Sequence, residues 1–320
     1  MGTITELLTL FVFLAAGMVF GMKMIPTAWS SITNTALNVC LYMLLFFMGV
    51  RTGLIANVAD ELTMIGQLAF LFATVTVIGS AFFVILMGRL FHMKDDRYDG
   101  ALKTPDREQY NEHGSRNGTF SHLKEPLRLL FFALAGASLA ALTPWFFWFT
   151  DSVTNIMVYL LLFLVGIQLV QSNTDMISVL KDPTSLLLPF GTIIGTLAAS
   201  CLIPLVTNIN IHESLAIASG FGWYSLSGVL ITDLGDPVLG SVAFLSNLFR
   251  ESIAFLVIPL LASYGKPHAA ISIGGATSMD VTLPVIKKSC GTEYVPLSIA
   301  HGSMLTIVVP FLVPLFYTWG

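Results

Sequence analysis

Long apolar runs separated by short polar stretches dominate the chain. A membrane-spanning helix needs about 20 mainly apolar residues, and the runs that meet this length are 4–22, 36–54, 63–91, 127–149, 153–171, 184–206, 238–264 and 294–318. The first run is not typical of a secretory signal peptide, because it contains Glu6 and no basic residue precedes its apolar core. The pattern predicts an all-α, polytopic membrane protein.

Two further apolar segments, 214–232 and 268–286, are rich in glycine, serine and threonine. Irregular backbone at membrane depth is tolerated only where it is buried in protein or lines a cavity, as in the broken helices of transporters. We therefore expect each segment to be a broken helix or a re-entrant hairpin. The chain then forms one integral-membrane domain, 1–320, with about eight spans and two re-entrant segments, or with ten spans.

The composition agrees with a chain that lies in a membrane. Hydrophobic residues make up 55% and charged residues 11%, whereas a soluble domain carries about 25% charged residues. This balance excludes a soluble enzyme, a nucleic-acid binder and a disordered protein. Cys40, Cys201 and Cys290 are far apart in apolar sequence, so we expect free, buried thiols and neither a disulfide nor a metal site. No cofactor is expected, and a homo-oligomer is left open.

Positive charge is concentrated between the third and fourth spans. Eight of the 15 lysines and arginines lie between Arg89 and Arg128, and basic residues favour the cytoplasmic side of a membrane. The polar loop 92–126 is therefore predicted to be cytoplasmic, and counting spans from it places both chain ends outside. Lys266 lies inside if the Gly-rich segments are hairpins and outside if they cross, so the same rule favours hairpins.

A sequence repeat connects the second and fifth spans. It consists of NVCLYMLLFFMGV at 38–50 and NIMVYLLLFLVGI at 155–167, which share six of 13 positions and are apolar at the others. The alternative is a chance match between apolar segments. However, an odd number of crossings separates the copies, so they run in opposite directions, as the inverted repeats of secondary transporters do. We expect two pairs of this kind: 1–91 with 127–207, and the broken-helix pair 214–264 with 268–318, which carries the substrate site.

Few ionisable side chains lie within the predicted spans, where such groups are costly and mark function by default. Arg250 and Glu251 lie in the middle of span 238–264. Asp280 lies in the second Gly-rich segment, and His301 lies about two turns into the last span. Each also has a structural explanation: partners elsewhere can neutralise Arg250 and Glu251, and Asp280 can cap a half-helix. For His301 we favour a hydrogen-bonded packing role over proton transfer.

The segment SGFGWYSLSG at 219–228 combines glycines, hydroxyls and two aromatic side chains. Glycine lets the backbone expose amide groups to a ligand, and aromatic rings can stack on an aliphatic or cationic ligand. The alternative is a tight helix crossing packed through glycine. We favour a ligand site, because the second Gly-rich segment has the same composition. The candidate residues of this ligand site, from both segments, are Gly220, Gly222, Trp223, Tyr224, Ser225, Gly275, Thr277 and Ser278. Gly191 and Gly195 are expected to form only a packing face.

An enzymatic mechanism is not supported by the sequence. It contains no His-Glu-x-x-His motif of a metalloprotease. An aspartyl mechanism needs two facing aspartates, and Asp280 could pair only with Asp233 or Asp236, at a predicted membrane edge.

Four strings of the sequence closely resemble the bacterial lysine exporter (LysO) family. They are LLFLVGIQL at 161–169, ASGFGWYSLSG at 218–228, Arg250-Glu251 and GATSMDVTLP at 275–284. The resemblance covers most of the chain and is densest from 155 to 302. It implies a bacterial inner-membrane exporter of L-lysine and of its toxic analogue thialysine. It also implies two functional intramembrane acidic residues, which match Glu251 and Asp280.

The chemistry of lysine fits these residues. At pH 7 lysine carries two ammonium groups and one carboxylate, so it enters a bilayer only where protein supplies counter-charges. We expect Glu251 and Asp280 to bind the ammonium groups. Backbone N–H groups at half-helix starts near Gly220–Gly222 and Gly274–Gly275 would bind the carboxylate. Trp223 and Tyr224 would line the aliphatic stem.

Export of a cation against an inside-negative potential needs a coupled ion. Competition of lysine and protons for the same carboxylates would supply this coupling by proton antiport. One alternative is a cation antiporter of the Na⁺/H⁺ type with the same carboxylates. The other is a structural membrane scaffold, which would gain nothing from buried acidic residues.

Overall fold

The computed structural model describes residues 2–25, 29–53, 58–90, most of 131–143, 151–171 and 183–319, and the regular elements in these ranges are helical. The α-helices are α1 (Gly2–Met24), α2 (Ser30–Gly53), α3 (Val58–Leu90), α4 (Asp151–Gln171), α5 (Pro183–Ser200), α6 (Ile211–Ala218), α7 (Tyr224–Asp233), α8 (Pro237–Ser263), α9 (Pro267–Gly274), α10 (Leu283–Cys290) and α11 (Val295–Trp319). Short 3₁₀ helices cover Ile203–Leu205, Gly275–Met279 and Thr292–Tyr294. Helical residues also occur between 131 and 142.

The helices have the length and apolar character of membrane spans. Among the described residues, four segments are long and apolar enough to cross a bilayer: Thr63–Leu90, Leu186–Leu205, Pro237–Ser263 and Thr292–Trp319. Shorter apolar helical segments cover Thr9–Lys23, Ser31–Phe47 and Ile156–Gln168. The predicted all-α, polytopic membrane fold is confirmed. The predicted cytoplasmic loop 92–126 lies outside the described residues.

Helix starts coincide with capping signals in the sequence. At the start of α6, the carboxylate of Glu213 accepts a hydrogen bond of 2.8 Å from the backbone N–H of Asn210, which is the reciprocal half of a capping box. At the start of α8, the carboxylate of Asp236 accepts from the N–H of Leu239 at 2.9 Å, and Pro237 follows in the first turn. Proline is favoured there because it has no N–H that needs an acceptor.

Matching aromatic contacts join the predicted repeats. Tyr42 of α2 stacks on Phe132 with 5.0 Å between ring centroids, and Tyr159 of α4 stacks on Phe13 of α1 with 4.9 Å. Tyr42 and Tyr159 occupy the same position in the two copies of the repeat. Each copy therefore presents its tyrosine to the first predicted span of the other half.

Matching glycine contacts accompany these aromatic pairs. Gly17 of α1 lies against the backbone carbonyl of Phe163, and Gly136 lies against that of Phe46. Phe46 and Phe163 again occupy equivalent repeat positions. Reciprocal contacts of this kind support the inverted repeat, which stays a prediction.

The first Gly-rich segment folds as a helix–break–helix hairpin, here called hairpin 1 (residues 211–233, helices α6 and α7). Glu213 at its start and Asp236 just beyond its end line one cavity of about 560 Å³, together with Met64 near the start of α3. Both ends of hairpin 1 therefore lie at the same end of the helical bundle.

The second Gly-rich segment, here called hairpin 2 (residues 267–290), enters from the opposite end of α3. The ring of His268 at its start lies 5.8 Å from the ring of Tyr294, just after its end. His268 also lines a cavity with Arg89, at the end of α3, and with Lys266. Lys266 thus lies beside the end of α3 that leads into loop 92–126, and its cytoplasmic location stays a prediction.

The cysteines are free, as the sequence predicted. Cys40 and Cys290 are buried, but Cys201 is exposed. The expectation of three buried thiols is therefore wrong for Cys201, because α5 ends at Ser200 and the chain turns there.

Candidate functional site

The breaks of the two hairpins pack against each other near the middle of α8, at a contact here called the hairpin crossing (residues 220–222 and 274–276). The backbone N–H of Ala276 donates to the carbonyl of Phe221 at 2.8 Å. A Cβ atom on Gly222 would lie 3.3 Å from the carbonyl oxygen of Gly274. Close backbone approach therefore joins the hairpins directly.

The backbone at the hairpin crossing has conformations that favour glycine. Gly222 has φ +97° and Gly275 has φ +61°. A Cβ atom on Gly275 would overlap the carbonyl oxygen of Phe221. Phe221 itself has φ 45°, the only positive φ at a non-glycine position among the described residues, and its side chain is fully buried. Such a conformation costs about 1–2 kcal/mol, which burial of the ring offsets.

Asn247 of α8 fixes hairpin 1 at its break. Its Oδ1 accepts from the N–H of Gly222 at 2.7 Å. Its Nδ2 donates to Ser227 Oγ at 3.2 Å and lies 3.4 Å from the carbonyl of Ile217. Asn247 therefore binds both arms of the hairpin. Sequence reasoning missed it because only ionisable residues were considered within span 238–264, although an amide one turn before Glu251 in a long apolar span is itself a signal.

Arg250 is 1% exposed and faces hairpin 2. Its guanidinium donates to the carbonyls of Ser272 at 3.2 Å and Ile273 at 3.4 Å, and to the hydroxyls of Thr196 at 3.4 Å and Ser80 at 3.5 Å. The last carbonyls of a helix lack intrahelical donors, and a cation stabilises this negative end of the helix dipole. Arg250 therefore caps the carboxyl end of α9 and ties it to α3 and α5.

His301 of α11 is fully buried and connects hairpin 2 to α5. Its Nε2 lies 2.9 Å from Thr192 Oγ1, and its Nδ1 lies 2.9 Å from Ser278 Oγ. Ser278 also donates to the carbonyl of Ser298 at 3.0 Å, and the hydroxyl of Ser298 donates back to the carbonyl of Ser278 at 2.7 Å. His301 thus has the hydrogen-bonded role that the sequence favoured.

The two candidate acidic residues lie in different environments. Glu251 is 2% exposed and shares a face of α8 with Asn247, one turn earlier. Asp280 is exposed and follows the 3₁₀ helix of hairpin 2; its carboxylate accepts from the N–H of Val281 at 2.5 Å. The N-cap position of α10 belongs to Thr282, so Asp280 does not cap that half-helix.

The aromatic candidates differ in how accessible they are. Trp223 is half-buried at the N-cap position of α7, and no side chain caps that helix. Tyr224 is 7% exposed, and its ring packs edge-on against Phe244 at 5.7 Å. Only Trp223 of this pair is therefore open enough to line a ligand in the conformation described.

Two of the remaining candidates, Gly220 and Thr277, lie at the hairpin crossing. Gly220 packs against the side chain of Asn247, and Thr277 lies next to Gly222 while its hydroxyl donates to the carbonyl of Gly274 at 2.8 Å. Ser225 and Ser278 are buried. Within the described part of the chain, no group of three or more His, Cys, Asp or Glu side chains could hold a metal ion.

One predicted position of a half-helix start is wrong. Gly220–Gly222 does precede the start of α7, but Gly274–Gly275 marks the end of α9, and a 3₁₀ helix follows it. The second half-helix, α10, begins only at Leu283. Helix α9 ends where Gly275 has a positive φ, and the next α-helix does not begin there. The sequence signal for the start of α10 is Pro284 in its first turn.

Comparisons with known proteins confirm the family resemblance found in the sequence. The family model for the lysine exporter LysO matches residues 11–98 and 130–317 and leaves out a stretch that lies largely in loop 92–126. The lysine exporter LysO of Escherichia coli (strain K12) is 32% identical over 285 residues, which cover 89% of this chain and 90% of that protein. A protein of Haemophilus influenzae (strain Rd), provisionally named a lysine exporter, is 36% identical over 156 residues, 49% of this chain and 80% of that protein.

No solved structure gives a significant match. The family match and the two relatives together cover nearly all of the described helices. The chain belongs to the lysine exporter LysO family, whose members are multi-pass inner-membrane transporters and not enzymes.

Proposed function

We propose that the chain exports L-lysine, and its analogue thialysine, from the cytoplasm by antiport with protons. The observation that carries this proposal is the meeting of two broken hairpins, which enter from opposite ends of the bundle, at Asn247 of α8. The buried Glu251 follows one turn later on the same face of α8. Broken helices that meet at the middle of a membrane are the usual substrate site of a secondary transporter. The names of the two relatives support lysine as the substrate.

The charges near the hairpin crossing suit a substrate with two ammonium groups. Glu251 is buried and Asp280 is exposed, so we expect Asp280 to receive an ammonium group from water and Glu251 to bind one inside the protein. The guanidinium of Arg250 is turned toward α9, α3 and α5. Its charge is compensated there by carbonyl and hydroxyl oxygens, which reduces its repulsion of a cationic substrate.

The substrate carboxylate needs donors, and the start of α7 supplies them. The first N–H groups of a helix have no acceptor within it, and no side chain caps α7. We propose that these N–H groups bind the carboxylate, while the half-buried ring of Trp223 contacts the aliphatic stem. Tyr224 would join it only if its contact with Phe244 opened.

Coupling to protons follows from competition for the carboxylates. Moving one positive charge out of the cell against an inside-negative potential of 100 mV costs about 2.3 kcal/mol. If each carboxylate holds either a proton or an ammonium group, entering protons displace lysine toward the outside. The runner-up is a Na⁺/H⁺-type antiporter in which the same carboxylates bind the ion.

The proposed topology has both chain ends outside and loop 92–126 inside. Residues 1–91 and 127–207 form one inverted pair, and 214–264 and 268–318 form the second. The reciprocal contacts of Tyr42 and Tyr159 support the first pair. The opposite directions of the two hairpins support the second pair, because each hairpin would connect the hairpin crossing to one side of the membrane.

Counterflow of labelled L-lysine into proteoliposomes, with and without an imposed pH gradient, tests this function. We expect lysine uptake that responds to the gradient. Lysine movement that ignores pH but responds to Na⁺ would overturn proton coupling while keeping the substrate. Na⁺/H⁺ exchange with no lysine movement, in protein shown to be folded, would favour the runner-up.

A further inference from the structure

A small basic cavity lies at the end of α3 that leads into loop 92–126, far from the acidic cavity at the start of α3. It has a volume of about 190 Å³ and is lined by Val84, Ile85, Gly88, Arg89, Lys266, His268 and Ala269. Three of these side chains are basic and none is acidic. The candidate transport site uses none of them.

The cavity has the chemistry of a phosphate site. Arg89 contributes a planar set of donors and Lys266 contributes a compact ammonium group, which are the two usual protein ligands of phosphate. Helix α9 starts at Pro267 beside the cavity with Lys266 at its N-cap position and no capping side chain, so its dipole also favours an anion there.

An apolar stripe runs from the cavity along α3. Phe82 and Leu86 are 66% and 39% exposed, and their spacing places them on the same helix face as Arg89. Tyr264, which is 78% exposed, follows the end of α8 two residues before Lys266, and tyrosine is enriched at the membrane interface. A ligand with a phosphate in the cavity would therefore lay an apolar tail on α3, which a free phosphate lacks.

We propose that this cavity binds the phosphate of an anionic phospholipid headgroup, with an acyl chain over Leu86 and Phe82. Basic pockets between membrane helices at the cytoplasmic face bind such headgroups. The bound lipid would join the end of α3 to the start of hairpin 2, since the lining residues come from both elements.

The test uses the full chain purified in a neutral detergent, with phosphatidylglycerol as the probe. Phosphatidylcholine and glycerol 3-phosphate are the comparison ligands. Native mass spectrometry counts retained lipid, and the thermal unfolding midpoint reports binding at increasing ligand concentration. We expect phosphatidylglycerol to be retained and to raise the midpoint, and the two comparison ligands to do neither.

Two kinds of variant separate the cavity from general basicity. The pair Arg89→Gln and Lys266→Gln should weaken phosphatidylglycerol binding roughly thirtyfold, at about fivefold per charge. The matched control is Lys287→Gln with Lys288→Gln, because both lysines are exposed, lie in the last turn of α10 and do not line the cavity. This control should bind like the unmodified chain.

Gly88→Leu fills the cavity without removing charge. A Cβ atom on Gly88 meets nothing within 4 Å, and leucine is a better helix former than glycine, so this variant should fold and lose phosphatidylglycerol binding. Equal binding by the charge variants and their control would overturn the proposal. Undiminished binding by Gly88→Leu would also overturn it, as would a midpoint shift by glycerol 3-phosphate equal to that by phosphatidylglycerol.

Discussion

Gly79 of α3 and Gly195 of α5 face each other so closely that a Cβ atom on either would lie 2.6 Å from the carbonyl oxygen of the other. The residues that follow them, Ser80 and Thr196, both accept hydrogen bonds from the guanidinium of Arg250. The two helices therefore make matching contacts with one another and with one central side chain, as an approximate two-fold axis between them would require.

The glycine pair should tolerate no added methyl group. Gly195→Ala and Gly79→Ala each force α3 and α5 apart, and we expect each to lower the free energy of unfolding by about 1–3 kcal/mol. Unfolding by SDS titration of the purified protein measures this loss. Gly66→Ala is the control in the same helix, because a Cβ atom there meets nothing within 4 Å and alanine should stabilise the helix by about 0.5–1 kcal/mol. Equal stability of all three variants would contradict the close packing.

The capping role of Arg250 predicts a graded loss of unfolding free energy across a series of variants. Arg250→Gln leaves the carbonyls of Ser272 and Ile273 without a cation, and we expect a loss of about 3 kcal/mol in unfolding free energy. Arg250→Lys keeps the charge but loses the planar set of donors, so it should fall between Gln and the unmodified chain. Thr196→Val and Ser80→Ala, which remove one acceptor each, should cost about 1 kcal/mol. An Arg250→Gln protein as stable as the unmodified chain would show that α9 needs no cap.

Much of this fold could be predicted from the sequence, because apolar length and glycine content are local properties. The spans and the two breaks follow from such patterns. Closure of the hairpins is not local: it depends on contacts such as that of His268 with Tyr294. The sequence could favour hairpins only through the charge of Lys266.

The candidate site could be predicted in part, for a similar reason. Glu251 and Arg250 stood out because ionised groups are costly in a bilayer. Asn247 carries no charge, so it is a weaker signal in an apolar span than Arg250 or Glu251. Its hydrogen bond to the backbone of Gly222 was therefore not predicted. The exposure of Asp280 depends on where α10 begins, which glycine spacing predicted incorrectly.

The proposed carboxylates predict a loss of transport without a loss of folding. Glu251→Gln and Asp280→Asn keep the side-chain shape but cannot exchange a proton for an ammonium group, so we expect both to abolish lysine counterflow in proteoliposomes. Glu213→Gln is the matched control, since this carboxylate caps α6 and lies outside the proposed site. It should retain transport and lose at most about 1 kcal/mol of stability, because glutamine keeps the capping-box acceptor and removes only the charge at the helix N-terminus. Normal lysine export by both Glu251→Gln and Asp280→Asn would sink the proposed mechanism.

The two hairpins predict a pattern of labelling that a pair of crossing helices cannot give. Tyr264→Cys, made with Cys201→Ser to remove the exposed native thiol, places a cysteine in the turn between α8 and hairpin 2. If loop 92–126 is cytoplasmic, this cysteine lies on the cytoplasmic side, so an impermeant maleimide should label it in inside-out vesicles and not in intact spheroplasts.

A cysteine at the opposite end of the bundle completes this test. Asn208 is exposed and lines the cavity at the start of hairpin 1, so Asn208→Cys in the same background should be labelled in intact spheroplasts. If the Gly-rich segments crossed the membrane, residues 208 and 264 would lie on the same side, because two spans (residues 211–233 and α8) would separate them. Hairpins leave only α8 between them and put them on opposite sides. Labelling of both cysteines from one side would therefore exclude the hairpins, whichever way the protein is inserted.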